Sequence, residues 1–218
     1  MQPDFFERPR QISYDLEHGA RRDPLNPHGR AFQRIKDDFY PTIEARWIVP
    51  ALLATTRIEG AVWEPHAGEG HLARELVNAG FRVVATDLPD YEPILGAPPI
   101  RFGYDFLKQT RAPAGVRAIV MNPPYKGAAD HVTQAIRLMA GVTGGAVAAL
   151  LRSDWSHAQS RRKLIHTHPG FDMKIELMKR PKWFDSGDEQ DAPRHNFAWF
   201  VWRPDRPRGE PPRIGWAP

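Results

Sequence analysis

Apolar and polar positions alternate along the chain in a rhythm of short strands and helices. Residues 60–65 form an apolar run ending in an acid and a proline, as a short buried strand does. A glycine-containing turn follows at 66–71, and residues 72–79 carry apolar side chains at helical spacing up to Gly80. Residues 81–86 make a second apolar strand ending at Asp87, so this stretch predicts one strand–turn–helix–strand crossover unit. A proline-rich loop covers 89–98, and residues 100–102 predict a short third strand. The run Ala118-Ile119-Val120-Met121 predicts a further buried strand, followed by a helix over 128–139. A continuous apolar strand at 144–151 and a basic helix at 156–166 come next. A partly alternating strand at 171–178 and a strongly aromatic one at 195–202 complete the pattern. Upstream, residues 43–53 have near-helical apolar spacing, with Thr42 predicted as N-cap, Glu44 in the first turn and Pro50 as a kink or break. Strands alternating with helices predict an α/β fold with a doubly wound sheet.

Composition narrows this only slightly. A length of 218 residues fits one principal domain, and 41% hydrophobic with 26% charged residues excludes wholesale disorder. Residues 38–204 are expected to form that domain. Residues 1–37, charged and irregular, are expected to be an N-terminal arm, and 205–218 a loosely attached tail rich in proline and arginine. The formal charge of +4 is compatible with a nucleic-acid partner. With no cysteine, disulfides, thiolate nucleophiles and cysteine zinc sites are excluded. His166 and His168 lack acidic or thiol partners nearby in the chain, so no metal site is expected. No window reaches 18 uninterrupted apolar residues, and the first residues hold no signal-peptide core. A cytoplasmic protein with no membrane association is expected; the oligomeric state is not readable.

Chemistry concentrates at two strand ends. The strand at 118–121 runs into Asn122-Pro123-Pro124-Tyr125. Two consecutive prolines fix φ and remove two donors, so neither helix nor ladder continues through them. The corner therefore offers an amide, bare carbonyls and an aromatic ring at a strand's carboxyl end, where open α/β sheets bind ligands. The turn Gly68-Glu69-Gly70-His71-Leu72-Ala73 fits the dinucleotide fingerprint, with Asp87 at the distance of a ribose-binding acid. An NAD-dependent oxidoreductase is thus one reading of that turn. The approach Glu64-Pro65-His66-Ala67 favours another, because a pyrophosphate site gains nothing from an acid aimed at it.

Taken in order, these pieces resemble the adenine-N6 amino-methyltransferases that depend on S-adenosylmethionine (SAM), in particular small phage- or prophage-type DNA methyltransferases. Glu64-Pro65-His66-Ala67-Gly68-Glu69-Gly70 resembles their SAM-binding motif, in which the acid faces the ammonium of SAM. Asp87-Leu88 is similar to the ribose-binding element. Asp105-Phe106 is similar to the element whose acid takes the adenine amine of SAM and whose neighbour packs on the ring. Tyr40-Pro41-Thr42 resembles the N-terminal motif that closes over the methionine part of SAM. Asn122-Pro123-Pro124-Tyr125 resembles the catalytic motif, and residues 197–202 the closing strand. The resemblance implies a Rossmann-like SAM methyltransferase fold, a mostly parallel sheet with an antiparallel last strand, SAM as cofactor and a nucleic-acid substrate, DNA ahead of RNA.

It also implies a mechanism. Asn122 and the Pro123 carbonyl would accept hydrogen bonds from the target amine, and Tyr125 would stack on its flat face. Trp183 and Phe184 are candidates for the opposite wall, with Arg161-Arg162-Lys163 and Lys179, Arg180 and Lys182 as candidate phosphate contacts. Methyltransferases of RNA bases and of protein glutamines share the corner, and an inactive SAM-binding scaffold is a further alternative. A mild basic charge, Tyr40-Pro41-Thr42 and the aromatic final strand favour a nucleic acid. No segment matches a sizeable target-recognition domain, so short or relaxed sequence specificity is expected.

Overall fold

Eight strands make one sheet in the order β3-β2-β1-β4-β5-β7-β6-β8 in this computed structural model. The structure describes residues 40–183, 195–207 and 209–217; the expected arm at 1–37 lies outside them. The strands are β1 (Ala61–Glu64), β2 (Val83–Thr86), β3 (Ile100–Arg101), β4 (Val116–Met121), β5 (Ala146–Arg152), β6 (Phe171–Leu177), β7 (Phe197–Trp202) and β8 (Arg213–Ala217). Among the described residues three α-helices accompany them: α1 (Ala45–Thr55), α2 (His71–Asn78) and α3 (Ala128–Met139). The first five strands pair in parallel, and β7 runs antiparallel to both of its neighbours, β5 and β6. This is the expected doubly wound α/β sheet.

Period-two alternation sorts the strand side chains onto two faces. Val62, Val120, Ala148, Leu150, Trp199 and Val201 join α1 and α2 in one core. Trp63, Ile119, Met121, Val147, Ala149, Phe200 and Trp202 join α3 in the other. Both faces are covered, which is why β1, β4, β5 and β7 read as near-continuous apolar runs rather than alternating ones. Two fully buried indoles keep their polar atoms paired: Trp199 Nε1 donates to the Ile48 carbonyl at 3.0 Å, and Trp63 Nε1 to Thr86 Oγ1 at 2.9 Å.

Four local expectations need correction. Thr42 does not cap α1; the N-cap is Glu44, and no side chain bonds the first turn. The Glu44 carboxylate instead accepts from Lys182 N at 2.7 Å and Lys179 Nζ at 3.2 Å. Pro50 neither breaks nor divides α1, which is helical from Ala45 to Thr55. Pro50 is exposed, so the Arg46 carbonyl it leaves without a partner can turn toward water. The basic helix at 156–166 is replaced by 3-10 turns at Ser153–His157 and Gln159–Arg161. From 157 onward only Ile165 is buried there, so no apolar stripe exists to hold a helix on the core.

The tail is the fourth. Instead of hanging loosely, residues 213–217 form β8, paired in parallel with β6 from Met173↔Arg213 to Leu177↔Ala217. β7 is therefore not the last strand of the chain. A buried carboxylate fastens this end: Asp172 receives Arg203, Arg206 and Arg213 at 3.0–3.3 Å. Removing it would leave the buried Arg206 guanidinium without its counter-charge. Asp172→Ala is therefore expected to lose about 3–5 kcal/mol of stability, read from urea unfolding, whereas Arg213→Ala at the exposed rim loses far less.

Candidate active site

The strand order places a topological switch between β1 and β4. β1 continues through α2 to β2 on one side, and β4 through α3 to β5 on the other, so the ends of β1 and β4 open a crevice at the carboxyl edge. Glu64 closes β1 on one flank, and Asn122 follows β4 on the other.

Glu64 is buried, with 1% of its surface exposed, and its Oε2 atom has no hydrogen-bond partner among the described residues. Burial first, and the nearby Asp87 charge second, push its pKa well above the usual carboxylate range, against an opposing hydrogen bond from the Ala73 backbone. A buried acid with an open oxygen can accept a hydrogen bond from a donor on a ligand.

Asp87 works as a clamp on the glycine turn. Its carboxylate accepts from Gly68 N at 2.6 Å and from Leu88 N at 2.7 Å. Burial raises its pKa from 3.8 to about 6 in spite of those two bonds. The stability that follows from a raised acid pKa is complete below about pH 4 and disappears as pH climbs to about 6, a change of about 3 kcal/mol. The unfolding midpoint of the ligand-free protein should therefore fall between pH 4 and 6.5, more steeply than that of Asp87→Asn.

Gly70 sits at the N-cap of α2 with φ 88°, and a Cβ there would lie 2.6 Å from the Ala97 Cβ. Its glycine is demanded by the backbone and by Ala97, apart from any ligand. Pro65 is buried, and the exposed Leu88 side chain stands beside Asp87 at the crevice rim.

His66 meets a partner from a distant segment. Its Nε2 is 2.7 Å from Nδ1 of His131, on α3, and both rings pack around Phe106. Burial holds the His66 pKa well below the usual value, with the His131 charge adding to it. Burial also lowers His131, although Asp130 and Asp105 pull it back. One proton between two neutral rings satisfies this contact. Phe106 is 3% exposed and belongs to the core, edge-on to Trp63. Asp105 caps the 3-10 turn Phe106–Lys108 by accepting from Leu107 N, and it pairs with Lys108. That bonding, led by Lys108, lowers its pKa.

At the opposite flank, the Asn122 amide is oriented by chemistry alone. Its Nδ2 donates to the Tyr40 carbonyl at 3.0 Å and to Thr42 Oγ1 at 3.2 Å. A carbonyl can only accept, so the nitrogen must face Tyr40. Oδ1 then points the other way, buried and without a partner among the described residues. Buried acceptors of this kind are rare in folded proteins. Pro123 is buried and Pro124 half-buried. The Tyr125 ring lies 4.7 Å from Tyr40, 6.0 Å from Phe197 and 6.4 Å from Trp183, centre to centre. Pro41 joins Tyr40 to the buried Thr42.

The structure thus gathers Tyr40, Thr42, Asn122, Tyr125 and Trp183 into one corner, and Glu64, Asp87 and the glycine turn into another. Phe184 lies outside the described residues. The basic candidates divide: Lys179 is bound to Glu44 and lies over Trp47, Arg180 donates to Asn196, and Arg161 stacks on Trp155. Arg162, Lys163 and Lys182 are exposed. His166 bonds the Ser156 carbonyl and His168 accepts from Gly170. Among the described residues, no group of three or more histidine, aspartate or glutamate side chains is placed to hold a metal ion, and no helix is long and apolar enough to cross a membrane.

No family profile and no curated protein matches the chain. Solved structures do. A protein from Listeria monocytogenes assigned as a class I SAM-dependent methyltransferase is similar with a TM-score of 0.55 at 13% identity, over 84% of this chain and 67% of that one. A protein from Lactococcus lactis assigned as a hemolysin gives 0.56 at 11% identity, over 81% and 94%. One from Pyrococcus horikoshii assigned as an RNA methyltransferase gives 0.51 at 14% identity, over 73% and 80%. At these identities the likeness is one of fold, the Rossmann-like fold of class I methyltransferases.

Proposed function

We propose that this protein is a SAM-dependent N-methyltransferase that modifies the exocyclic N6 of adenine in DNA. The observation that carries the reading is the Asn122 amide: its nitrogen is spent inside the protein and its oxygen is left open, buried and at a strand end. Such an acceptor suits a donor N–H on a ligand, and a planar amine supplies one.

The opposite flank fits the cofactor. The open Oε2 of Glu64 is a partner for the ammonium of SAM, the exposed Leu88 for an apolar ring face, and Asp87 for ribose hydroxyls through the lone pairs its two backbone bonds leave. Bound there, SAM supplies an electrophilic methyl group on a sulfonium. The chain's own residues do the rest. Asn122 Oδ1 and the Pro123 carbonyl accept the two amine hydrogens, which draws the nitrogen away from conjugation and frees its lone pair. Pro124 has no N–H to compete for those acceptors. Tyr125, backed by Tyr40 and Phe197, offers a ring face to a flat target, and Trp183 borders the same corner. Positioning supplies most of the rate, and no strong base is required because the nitrogen becomes acidic as it is alkylated. A base inside a duplex would have to be flipped out, at a cost of a few kcal/mol.

An NAD site is disfavoured by Glu64, whose buried carboxylate would face a pyrophosphate. RNA bases and protein glutamines present the same planar nitrogen, and a fold neighbour is assigned as an RNA methyltransferase. Transfer of labelled methyl from SAM to DNA, RNA and protein, followed by digestion and chromatography, separates them. Label in N6-methyladenine from DNA is the expected result; label in methylglutamine or only in RNA nucleosides would overturn the substrate assignment.

A further inference from the structure

We infer that Thr42 is a positioning residue for methyl transfer, holding the Asn122 amide with its oxygen toward the target nitrogen. This rests on the function proposed above. The two Asn122 amide hydrogens have two receivers, the Tyr40 carbonyl at 3.0 Å and Thr42 Oγ1 at 3.2 Å, both 80 or more residues away in the chain. Thr42 is 5% exposed, so water does not replace its hydroxyl.

The arrangement matters because an asparagine side chain has two orientations of nearly equal shape. Turned over, the amide would push Oδ1 against the Tyr40 carbonyl and aim its NH2 where an amine has to donate. Two donors would then face each other, and the corner could not accept a substrate hydrogen. The Tyr40 carbonyl removes that orientation by repelling the oxygen, and the Thr42 hydroxyl, which could serve either orientation, gives the remaining amide hydrogen a buried partner and so holds the plane of the amide in place. Thr42 is also free of the task expected of it, since α1 takes no side-chain cap from it. The same short segment backs the aromatic half of the corner, where the Tyr40 ring lies 4.7 Å from Tyr125. Residues 40–42 therefore set both the acceptor and the stacking surface.

Thr42→Val replaces the hydroxyl with a methyl group of the same size and strands one amide hydrogen. Its turnover at saturating SAM is expected to fall about tenfold, with the SAM dissociation constant within about threefold of wild type. Thr42→Ser, which keeps the hydroxyl, recovers most of the rate, and Thr42→Ala behaves as Thr42→Val does. A second readout needs no turnover: the Asn122 side-chain NH2 resonances, identified by their absence in Asn122→Ala, should shift and exchange faster with water in Thr42→Val but not in Thr42→Ser. Unchanged turnover, weakened SAM binding at unchanged turnover, or unmoved Asn122 resonances would each overturn the role. If the wild-type protein methylates nothing, the proposed function fails, and the resonances alone decide whether Thr42 orients the amide.

Discussion

Asn122→Ala is expected to reduce turnover by about 10²–10³-fold while the SAM dissociation constant stays within a few-fold of wild type. The asymmetry follows from what the side chain touches. Its nitrogen binds Tyr40 and Thr42, and its oxygen binds nothing among the described residues. Loss of the oxygen removes an acceptor used most as the target nitrogen leaves conjugation, which is a transition-state interaction. Asn122→Asp is a sharper probe. It keeps an acceptor on the target side but sets a carboxylate oxygen against the Tyr40 carbonyl, so it should lose activity and stability together. Stopped-flow or single-turnover measurement at saturating SAM separates the chemical step from binding. Equal losses in SAM affinity and rate would place Asn122 in the cofactor site instead.

Glu64→Gln is expected to weaken SAM binding by about 30-fold or more, the consequence of deleting one partner of a buried charge pair. Its effect on the empty protein runs the other way. Burial holds the Glu64 pKa well above the usual range, so the ionised form is disfavoured in the fold, and its contribution to stability is lost as pH rises through that raised value. A neutral amide avoids this loss. The ligand-free variant should match or exceed the wild-type unfolding midpoint at pH 8. In the wild type, a cation arriving beside Glu64 favours its ionised form, so binding should release protons and tighten as pH rises. Calorimetry in buffers of different ionisation enthalpy reads that release directly, and in Glu64→Gln it should shrink. A variant that binds SAM as tightly as wild type would remove Glu64 from the cofactor site.

Much of this site could be read before the fold was known because its signals are short in sequence. The corner at 122–125 is four adjacent residues after a buried run, and Glu64 stands seven residues before His71, where α2 begins. Strand ends and a glycine turn announce themselves within one crossover unit. Contacts between distant segments were not legible. Nothing local to His66 points to His131, 65 positions away, and nothing local to Thr42 points to Asn122; its position before an apolar run suggested a helix cap instead. Long-range packing also decided the two misread elements. Residues 213–217 follow two prolines and include an arginine and a glycine, which hides a strand that the β6 edge and Asp172 hold in place. The basic stretch at 156–166 has helix-compatible residues but almost nothing to bury.

Phe106 marks a different limit. A motif position fixes which residue follows Asp105 but not which way its ring turns, and here the ring closes the α3 core against Trp63, His66 and His131. In the proposed complex, the exposed Leu88 beside Asp87 would offer the apolar surface for the adenine of SAM that the buried Phe106 ring does not.

Every role assigned at the carboxyl edge depends on one ligand occupying it. Titration of SAM into the 218-residue protein, with NAD titrated in parallel under the same conditions, is the most direct measurement. The expected result is saturable binding of SAM and no heat from NAD. Binding of NAD, or no binding of SAM, would contradict the assignment of both flanks of the crevice.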